Sequence, residues 1–329
     1  MPAPRLPVVP ASYFGMVLGL AGLAGTWRAA HLAWGLPALV GEVIMLVGGM
    51  VWAAVTVLYA LKWIVARETA LAEAAHPIQC CFIGLAGVAA MLVAGGLAPY
   101  FHGGALALYS VGALFTLGFA IWRTGGLWLG ERDHSHTTPV LYLPTVAGSF
   151  VIGTTGGTLG LADLGQFFFG MGLFGWLAIE SVLLHRMLTA PNMASALRPT
   201  LGIQLAPPVV GAVSLIAVAP QSPFLFAHAL IGYGVLQALI LLRLLPWVLR
   251  EPFAPSYWAF TFGVTALATA PIRLAALGDD GTVLYLAPAL FVFANIVVLT
   301  VALGTLYRFL RARPPTMSAA GKAADPSTR

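Results

Sequence analysis

Two charged side chains stand inside long apolar stretches of this sequence and are the first candidates for chemistry. Glu180 lies in the run from Trp176 to Leu183, and Arg243 lies in the run from Leu241 to Leu245. A charge in an apolar environment is costly unless it is paired and hydrogen-bonded. The sequence therefore predicts an ion pair between Glu180 and Arg243 that joins neighbouring helices. The alternative is that both side chains extend to a polar interface.

Groups that could hold a metal or a cofactor are few and poorly spaced. They are two histidines in a short polar loop, one histidine inside an apolar stretch, and two adjacent cysteines: His134 with His136, His228, and Cys80 with Cys81. Adjacent cysteines form neither a CxxC motif nor a disulfide framework, and His228 has no partner at ligand spacing. There is also no phosphate-binding glycine loop. We therefore expect no metal, no cofactor and no enzymatic activity.

The composition defines the class of protein. Of 329 residues, 60% are hydrophobic and only 8% are charged. A soluble domain carries about 25% charged residues, so this chain could not cover a soluble surface. A soluble enzyme, a nucleic-acid-binding protein and a disordered chain are excluded, and a multi-pass membrane protein in a lipid bilayer remains.

Ten stretches are long and apolar enough to span a bilayer, which needs about 20 residues. They are residues 11–30, 38–63, 78–98, 104–123, 139–160, 164–187, 200–219, 224–248, 257–277 and 283–308. The predicted organisation is a cytoplasmic tail over residues 1–10, a membrane domain over 11–309, and a disordered cytoplasmic tail over 310–329.

Positive charge is distributed unequally between the two sides of these spans. If the N-terminus is cytoplasmic and all ten spans cross, 14 of the 16 Lys and Arg residues are cytoplasmic, and Arg28 and Arg273 lie on the opposite side. Cytoplasmic loops of membrane proteins carry such an excess. Both termini are therefore predicted to be cytoplasmic.

The odd-numbered spans are rich in glycine and proline, whereas spans 2, 8 and 10 are more evenly aliphatic. A proline inside a helix frees a carbonyl, which in a bilayer must be buried in protein or face water. This pattern predicts five helical hairpins with the odd helices inside, although glycine and proline are also common in membrane helices generally.

The central parts of the odd spans contain no Asp, Glu, Lys, Arg or His. A proton-coupled carrier usually needs a titratable group in its path, and a pore without one favours weak binding and channel-like conduction. Intramembrane amides are expected to form interhelical hydrogen bonds, but Gln204 on an odd span is a candidate for the pore wall.

Several motifs resemble one known family. They are Ser12 to Leu23, Tyr142-Leu143-Pro144, Leu205-Ala206-Pro207, Leu242 to Trp247, and Trp258 to Gly263. In this order, on ten helices, they resemble the tellurite-resistance/dicarboxylate transporter family. That family includes bacterial TehA proteins, yeast malate permeases and the slow anion channels of plant guard cells. The similarity runs from about residue 7 to 309 and is strongest with the TehA branch.

The resemblance implies an all-α, ten-helix, pseudo-fivefold bundle of five hairpins, with kinked inner helices around a pore. It also implies a homotrimer with one pore in each protomer. The family's pore is closed by a phenylalanine of the ninth helix, and this position matches Phe262. The further candidates for the pore wall are Phe14, Phe150, Gln204, Thr261 and Thr265. The candidate kinks are Gly15, Gly87 (where the family has a proline), Pro144, Pro207 and Gly263.

The function expected from this resemblance is that of an anion channel or exporter in a bacterial inner membrane. Its substrates would be small inorganic anions or dicarboxylates, and the anionic sign rests on the resemblance. The alternative is a proton-linked carrier for malate-like dicarboxylates. A membrane-embedded enzyme or electron carrier is a third, less favoured class.

Overall fold

A computed structural model describes residues 8–130 and 133–311, and within them the chain is all-helical without a strand. The α-helices are α1 (Phe14–Trp34), α2 (Ala38–Val65), α3 (Arg67–Ala75), α4 (Leu85–Leu97), α5 (His102–Trp128), α6 (Gly148–Thr158), α7 (Ala162–Thr189), α8 (Ala206–Val218), α9 (Phe224–Val248), α10 (Thr261–Ala276) and α11 (Val283–Arg311). Most of the two predicted tails, residues 1–7 and 312–329, lies outside the described residues, as do Glu131 and Arg132.

Nine helical segments among the described residues are long and apolar enough to cross a membrane. This confirms the multi-pass membrane class. The helix α1, at 21 residues, is not among the nine. Its Thr26, Arg28 and His31 lower its hydropathy, so the tenth span stays a prediction.

Burial alternates along the chain. The segments that contain α4, α6, α8 and α10 are 67%, 67%, 89% and 72% buried over their most apolar stretch. Those that contain α2, α5, α7, α9 and α11 are 17%, 22%, 22%, 33% and 22% buried. A helix that is apolar on all sides yet exposed is one that faces lipid. The second group therefore forms the surface that meets the bilayer.

The buried helices form a closed ring. The helices α1, α4, α6, α8 and α10 contact one another in this order, and α10 returns to α1. Each ring helix also packs against the helix that follows it in the chain, namely α2, α5, α7, α9 or α11.

Each ring helix is preceded by irregular helix rather than by regular α-helix. These segments are Ala11–Tyr13, Gln79–Gly84, Pro139–Leu141, Ser195–Leu205 and Pro255–Phe260 in 3-10 form, and Leu143–Ala147 in π form. Prolines in them lack the N–H that an α-helix needs, and 3-10 or π turns accommodate the change.

The five predicted kink residues all lie within four positions of the point where a segment becomes α-helical. Gly87 has a second constraint. A Cβ at Gly87 would overlap Thr116 Oγ1 and lie 2.6 Å from the carbonyl oxygen of Gly112 on α5. Glycine at this position therefore permits the close approach of α4 to α5, whichever bend it also allows.

The short helix α3 was not anticipated from the sequence. Its Glu73 accepts hydrogen bonds from Lys62 Nζ at 2.7 Å, Tyr59 Oη at 3.1 Å and the backbone N–H of Ala11 at 2.9 Å. The Lys62 and Glu73 side chains are only 3% and 8% exposed. This buried pair ties the end of α2 to the start of the first ring segment.

Candidate functional site

The ring encloses a cavity at the N-terminal ends of its five helices, here called the N-side cavity. Its volume is about 130 Å³. Every ring segment contributes to its wall, which includes Ser12, Gly15, Leu18, Gln79, Phe82, Leu85, Tyr142, Val146, Phe150, Thr200, Pro207, Val210, Ser256, Ala259 and Phe262. Five segments can line one cavity with their N-terminal parts only if they run in the same direction.

A second cavity lies at the C-terminal ends of the same five helices and is called the C-side cavity. Its volume is about 490 Å³, and its wall includes Ala21, Gly25, Arg28, Leu92, Gly95, Thr154, Thr155, Thr158, Ile216, Ala217, Arg273 and Ala276. The two cavities therefore lie inside one ring, at opposite ends.

The layer between the two cavities consists mostly of apolar residues, and its thickness differs between the ring helices. On α1 the wall changes from one cavity to the other between Leu18 and Ala21, and on α6 between Phe150 and Thr154. At a rise of 1.5 Å per residue these steps correspond to about 4.5 Å and about 6 Å. On the other ring helices the separation is larger: it is about 9 Å on α8 (Val210 to Ile216), about 10.5 Å on α4 (Leu85 to Leu92) and about 16.5 Å on α10 (Phe262 to Arg273). The layer is therefore thinnest beside α1 and α6, and Phe262 lies on its N-side face.

Phe262 differs from its neighbours in exposure. In the stretch 261–270 of α10 it is the one residue that is not buried. A Cβ added at Gly22 of α1 would lie 3.3 Å from Cδ2 of Phe262, so the ring reaches across to α1. The side chain therefore lies against the neighbouring helix α1 and forms part of the wall of the N-side cavity.

Thr261 and Thr265 face α1 rather than either cavity. Both are fully buried, and their hydroxyls donate to the carbonyls of Trp258 at 2.8 Å and Phe262 at 3.0 Å. A Cβ at Gly19 or Gly22 would overlap these hydroxyls. The two threonines hold α10 against α1 and so hold the backbone of Phe262 in place.

The other two phenylalanines proposed for the pore wall are both buried. Phe14 packs edge-on against Tyr59 of α2 with ring centroids 5.7 Å apart, and it lines neither cavity. Phe150 lies at the inner end of the N-side cavity, but its ring is 0% exposed. A Cβ at Gly172 or Gly211 would lie 2.7 Å or 3.1 Å from this ring, which therefore fills the space between α7 and α8.

Glu180 is the centre of a buried hydrogen-bond cluster, called the Glu180 cluster. Its Oε2 accepts from Gln204 Nε2 at 2.8 Å, Trp176 Nε1 at 3.1 Å and the Tyr142 hydroxyl. Its Oε1 accepts from the Tyr233 hydroxyl at 2.6 Å and, more weakly, from Gln237 Nε2 at 3.5 Å. The cluster joins α7 and α9 to two of the irregular ring segments.

The predicted ion pair between Glu180 and Arg243 is wrong. The partners of Glu180 are all neutral, and Arg243 is exposed on α9 and belongs to none of the ion pairs found in the described residues. Glu180 faces the inside of the bundle and Arg243 faces outwards. Gln204, expected in the pore wall, is instead committed to Glu180 and Tyr142.

Two arginines, Arg28 and Arg273, line the C-side cavity. Arg28 forms a bidentate pair with Glu42 at 2.8 and 2.6 Å and also donates to the carbonyl of Gly96 at 3.1 Å. The carboxylate of Glu42 also interacts with Tyr100, in the loop before α5, and raises the pKa of that phenol. Arg273 lines the same cavity without an ion pair among the described residues.

Comparison with known proteins identifies the family. The model of the SLAC1 family, described as voltage-dependent anion channel, matches residues 8–306. The chain belongs to the SLAC1 family. This confirms the family resemblance seen in the motifs, and the match spans every residue that lines either cavity. The family is one of channels and transporters and not of enzymes.

Relatives in the SLAC1 family come from bacteria and plants. The chain is 33% identical to the tellurite resistance protein TehA homolog of Haemophilus influenzae over 92% of both chains. It is 23% identical to the S-type anion channel SLAH3 of Arabidopsis thaliana, over 90% of this chain and 48% of that one. It is 25% identical to the guard cell S-type anion channel SLAC1 of the same plant, over 81% of this chain and 50% of that one.

Within the part of the chain that the structure describes, no three His, Cys, Asp or Glu side chains come together as a metal site. Cys80 and Cys81 are buried beside one another at the start of the second ring segment. The candidate site of this SLAC1-family protein is therefore the pair of cavities inside the ring of helices.

Proposed function

We propose that this protein is an anion channel whose pore runs through the ring of five helices and is closed by Phe262. The observation that carries the proposal is the pair of cavities, lined by the same five segments and separated by a layer of mostly apolar residues that is thinnest, about one helical turn, beside α1 and α6. Phe262 lies at the N-side face of this layer and is the one residue of the stretch 261–270 that is not buried.

A ring of apolar side chains closes a pore by excluding water, since an ion cannot cross it without losing its hydration shell. The buried Thr261 and Thr265 hold the backbone of Phe262 in place, so opening requires only that the phenyl side chain of Phe262 rotate out of the pore. Replacing Phe262 by alanine removes the phenyl group from the constriction and should connect the two cavities.

Anions are the proposed substrates because the TehA homolog and the plant S-type anion channels belong to the same family. The absence of titratable side chains from the layer between the cavities supports conduction rather than proton-coupled transport. Small inorganic anions and dicarboxylates are the two substrate classes to distinguish.

The ring contacts support the wider architecture that we propose: ten spans in five hairpins with pseudo-fivefold symmetry, including α1 as the first span. The distribution of Lys and Arg supports an N-side cavity that opens to the cytoplasm, with both termini on that side. Assembly as a homotrimer in a bacterial inner membrane, with one pore in each protomer, follows from the family resemblance.

A proton-linked dicarboxylate carrier is a second candidate, favoured by one observation. Tyr142 lines the N-side cavity and is bonded to Glu180, so a titratable carboxyl lies one side chain behind the wall. In a carrier, Glu180→Gln should abolish the pH dependence of malate uptake. In a channel, it should leave the pH dependence of the anion current unchanged.

The experiment that tests the proposal is voltage-clamp recording from oocytes that express wild-type protein, Phe262→Ala or Phe260→Ala. Phe260 is a matched control because it lies two residues away and packs against Gly202 outside both cavities. We expect large anion currents from Phe262→Ala alone. Silence of Phe262→Ala at equal surface expression, or equal currents from Phe260→Ala, would refute the gate.

A further inference from the structure

The C-side cavity has a charge balance that bears on which anions enter. Two arginines line it, Arg28 from α1 and Arg273 from α10. The charge of Arg28 is cancelled by its bidentate pair with Glu42 at 2.6 and 2.8 Å. Arg273 has neither an ion pair nor a hydrogen bond to another described residue. The cavity therefore carries one uncompensated positive charge.

The acidic residue nearest in sequence to Arg273 does not neutralise it. Asp279, in the turn after α10, is only 6% exposed and is bound to His228 Nε2 of α9 at 2.5 Å. Its second carboxylate oxygen accepts from the backbone N–H of Gly281 at 3.1 Å. Asp279 does not line the cavity, so the field of Arg273 is left to act on mobile ions.

The threonine hydroxyls in the wall of this cavity are already used. Thr154 donates to the carbonyl of Phe150 at 2.8 Å, Thr158 to that of Thr154 at 3.1 Å, and Thr155 to that of Met91 at 3.4 Å. Each hydroxyl has a single hydrogen to donate. The guanidinium of Arg273 is thus the free donor that the wall offers to an anion.

From these observations we infer that Arg273 recruits anions to the C-side mouth of the pore. We also infer that its single net charge makes this mouth select monovalent inorganic anions over dicarboxylates. The inference rests on the proposed channel function and names the substrate class of that same pathway. A dicarboxylate carries a second charge, which would have to lose water without a free counter-charge, because Arg28 is occupied by Glu42.

The single unpaired guanidinium of Arg273 is compatible with rapid conduction, which requires that an anion both enter and leave the cavity easily. A cleft of one charge sign raises the local concentration of the opposite ion and its rate of entry. A single donor without a surrounding cage of further donors lets the ion leave again, which conduction requires.

The test uses channels opened by Phe262→Ala in planar bilayers, with chloride and malate as the probe anions. Arg273→Gln removes the charge and Arg273→Lys keeps it. Arg243→Gln is the matched control, because Arg243 is an exposed arginine that lines neither cavity. The rate of entry from the C-side is measured as chloride conductance at low and at high salt.

With Arg273→Gln we expect chloride conductance from the C-side to fall about tenfold at low salt, the lower end of the effect of a charge-lined cleft. The loss should nearly vanish at about 1 M salt, where the Debye length is only about 3 Å. Arg273→Lys and Arg243→Gln should conduct like the parent channel.

Glu42→Gln supplies a test of opposite sign, since it frees the charge of Arg28 and gives the cavity two uncompensated cations. We expect it to raise chloride conductance at low salt and to raise the malate current relative to chloride. This variant decides the question if Arg273→Gln does not fold.

Either of two results would overturn the inference about Arg273 and leave the proposed channel function standing. The first is a conducting Phe262→Ala channel whose low-salt conductance is unchanged by Arg273→Gln. The second is a ratio of malate to chloride current that is unchanged by Glu42→Gln. A silent Phe262→Ala channel refutes the proposed function and this inference with it. The two failures are therefore distinguishable.

Discussion

Replacing Glu180 by glutamine should destabilise the protein, and the size of the loss follows from the hydrogen bonds of the Glu180 cluster. The amide oxygen of glutamine can take the place of Oε2 and keep the bonds from Tyr142, Trp176 and Gln204. Its NH₂ group then faces the Tyr233 hydroxyl, which must reverse from donor to acceptor. What is lost is the charge on the acceptor.

The size of this loss follows from the number of bonds. A hydrogen bond to a charged group exceeds a neutral one by about 1 kcal/mol, so three retained bonds lose about 3 kcal/mol together. Each kcal/mol shifts the Tm by about 2–4 °C for a chain of 150–250 residues and by somewhat less for this chain of 329, so the decrease should be several degrees and no more than about 12 °C. Glu180→Leu leaves several buried donors without an acceptor, at about 1–3 kcal/mol each, and should be worse.

The assay is thermal unfolding of the purified protein in detergent, followed by loss of the monodisperse peak in size-exclusion chromatography. Arg243→Gln is the control, and as an exposed residue without an ion pair it should change stability by less than about 0.5 kcal/mol. An unchanged Tm for Glu180→Gln would refute the cluster. Equal losses of stability from Glu180→Gln and Arg243→Gln would instead support the ion pair between Glu180 and Arg243 that was predicted from the sequence.

Two further substitutions test the packing around the ring. Gly22→Ala should destabilise the protein by about 1–3 kcal/mol, because the added methyl group overlaps Thr265 Oγ1. Gly25→Ala is its control: the added methyl group meets no atom within 4 Å, so this variant should be neutral or slightly stabilising. The measurement is the Tm of each variant, and equal values would contradict the close contact between α1 and α10. Lys62→Met should cost about 3–5 kcal/mol by leaving the buried Glu73 unpaired, and the double variant with Glu73→Leu should recover most of that loss in the same assay. A double variant no more stable than Lys62→Met would show that the pair contributes little.

The membrane class could be predicted because it depends on local sequence, whereas the predicted kinks stay a prediction. The length and polarity of a span follow directly from the bilayer thickness. Pro144 lies in the π-helical segment, whereas Pro207 lies in the first turn of α8, where an α-helix does not need the missing N–H. The helix α3 was missed because it is neither apolar nor long, and tertiary contacts of Glu73 stabilise it.

The partner of Glu180 could not be predicted from the charge alone, but helical periodicity held a usable signal. Glu180 lies on the buried stripe of α7 with Gly172, Trp176 and Leu183. Arg243 lies off the buried stripe of α9. Two residues on different faces of their helices do not meet, and this argument needed only the spacing of small and aromatic residues.

The orientation of Phe262 was beyond sequence reasoning without the family motif. Phe260 and Phe262 have the same type and lie on the same segment, yet one packs against Gly202 and the other lines the N-side cavity. The change from 3-10 helix to α-helix at Thr261 separates their directions. That change depends on how the segment meets α1 and α8, which is a property of the whole ring.

The central claim is that Phe262 closes an anion-selective pore, and the most direct test is the reversal potential of the Phe262→Ala channel in a planar bilayer. Under a tenfold potassium chloride gradient, we expect a reversal potential near the chloride equilibrium value, about 59 mV in magnitude with the sign of an anion. Conductance should also rise as residue 262 is made smaller, from leucine to alanine to glycine. A reversal potential near zero or of cation sign, or conductance independent of side-chain size, would contradict the account.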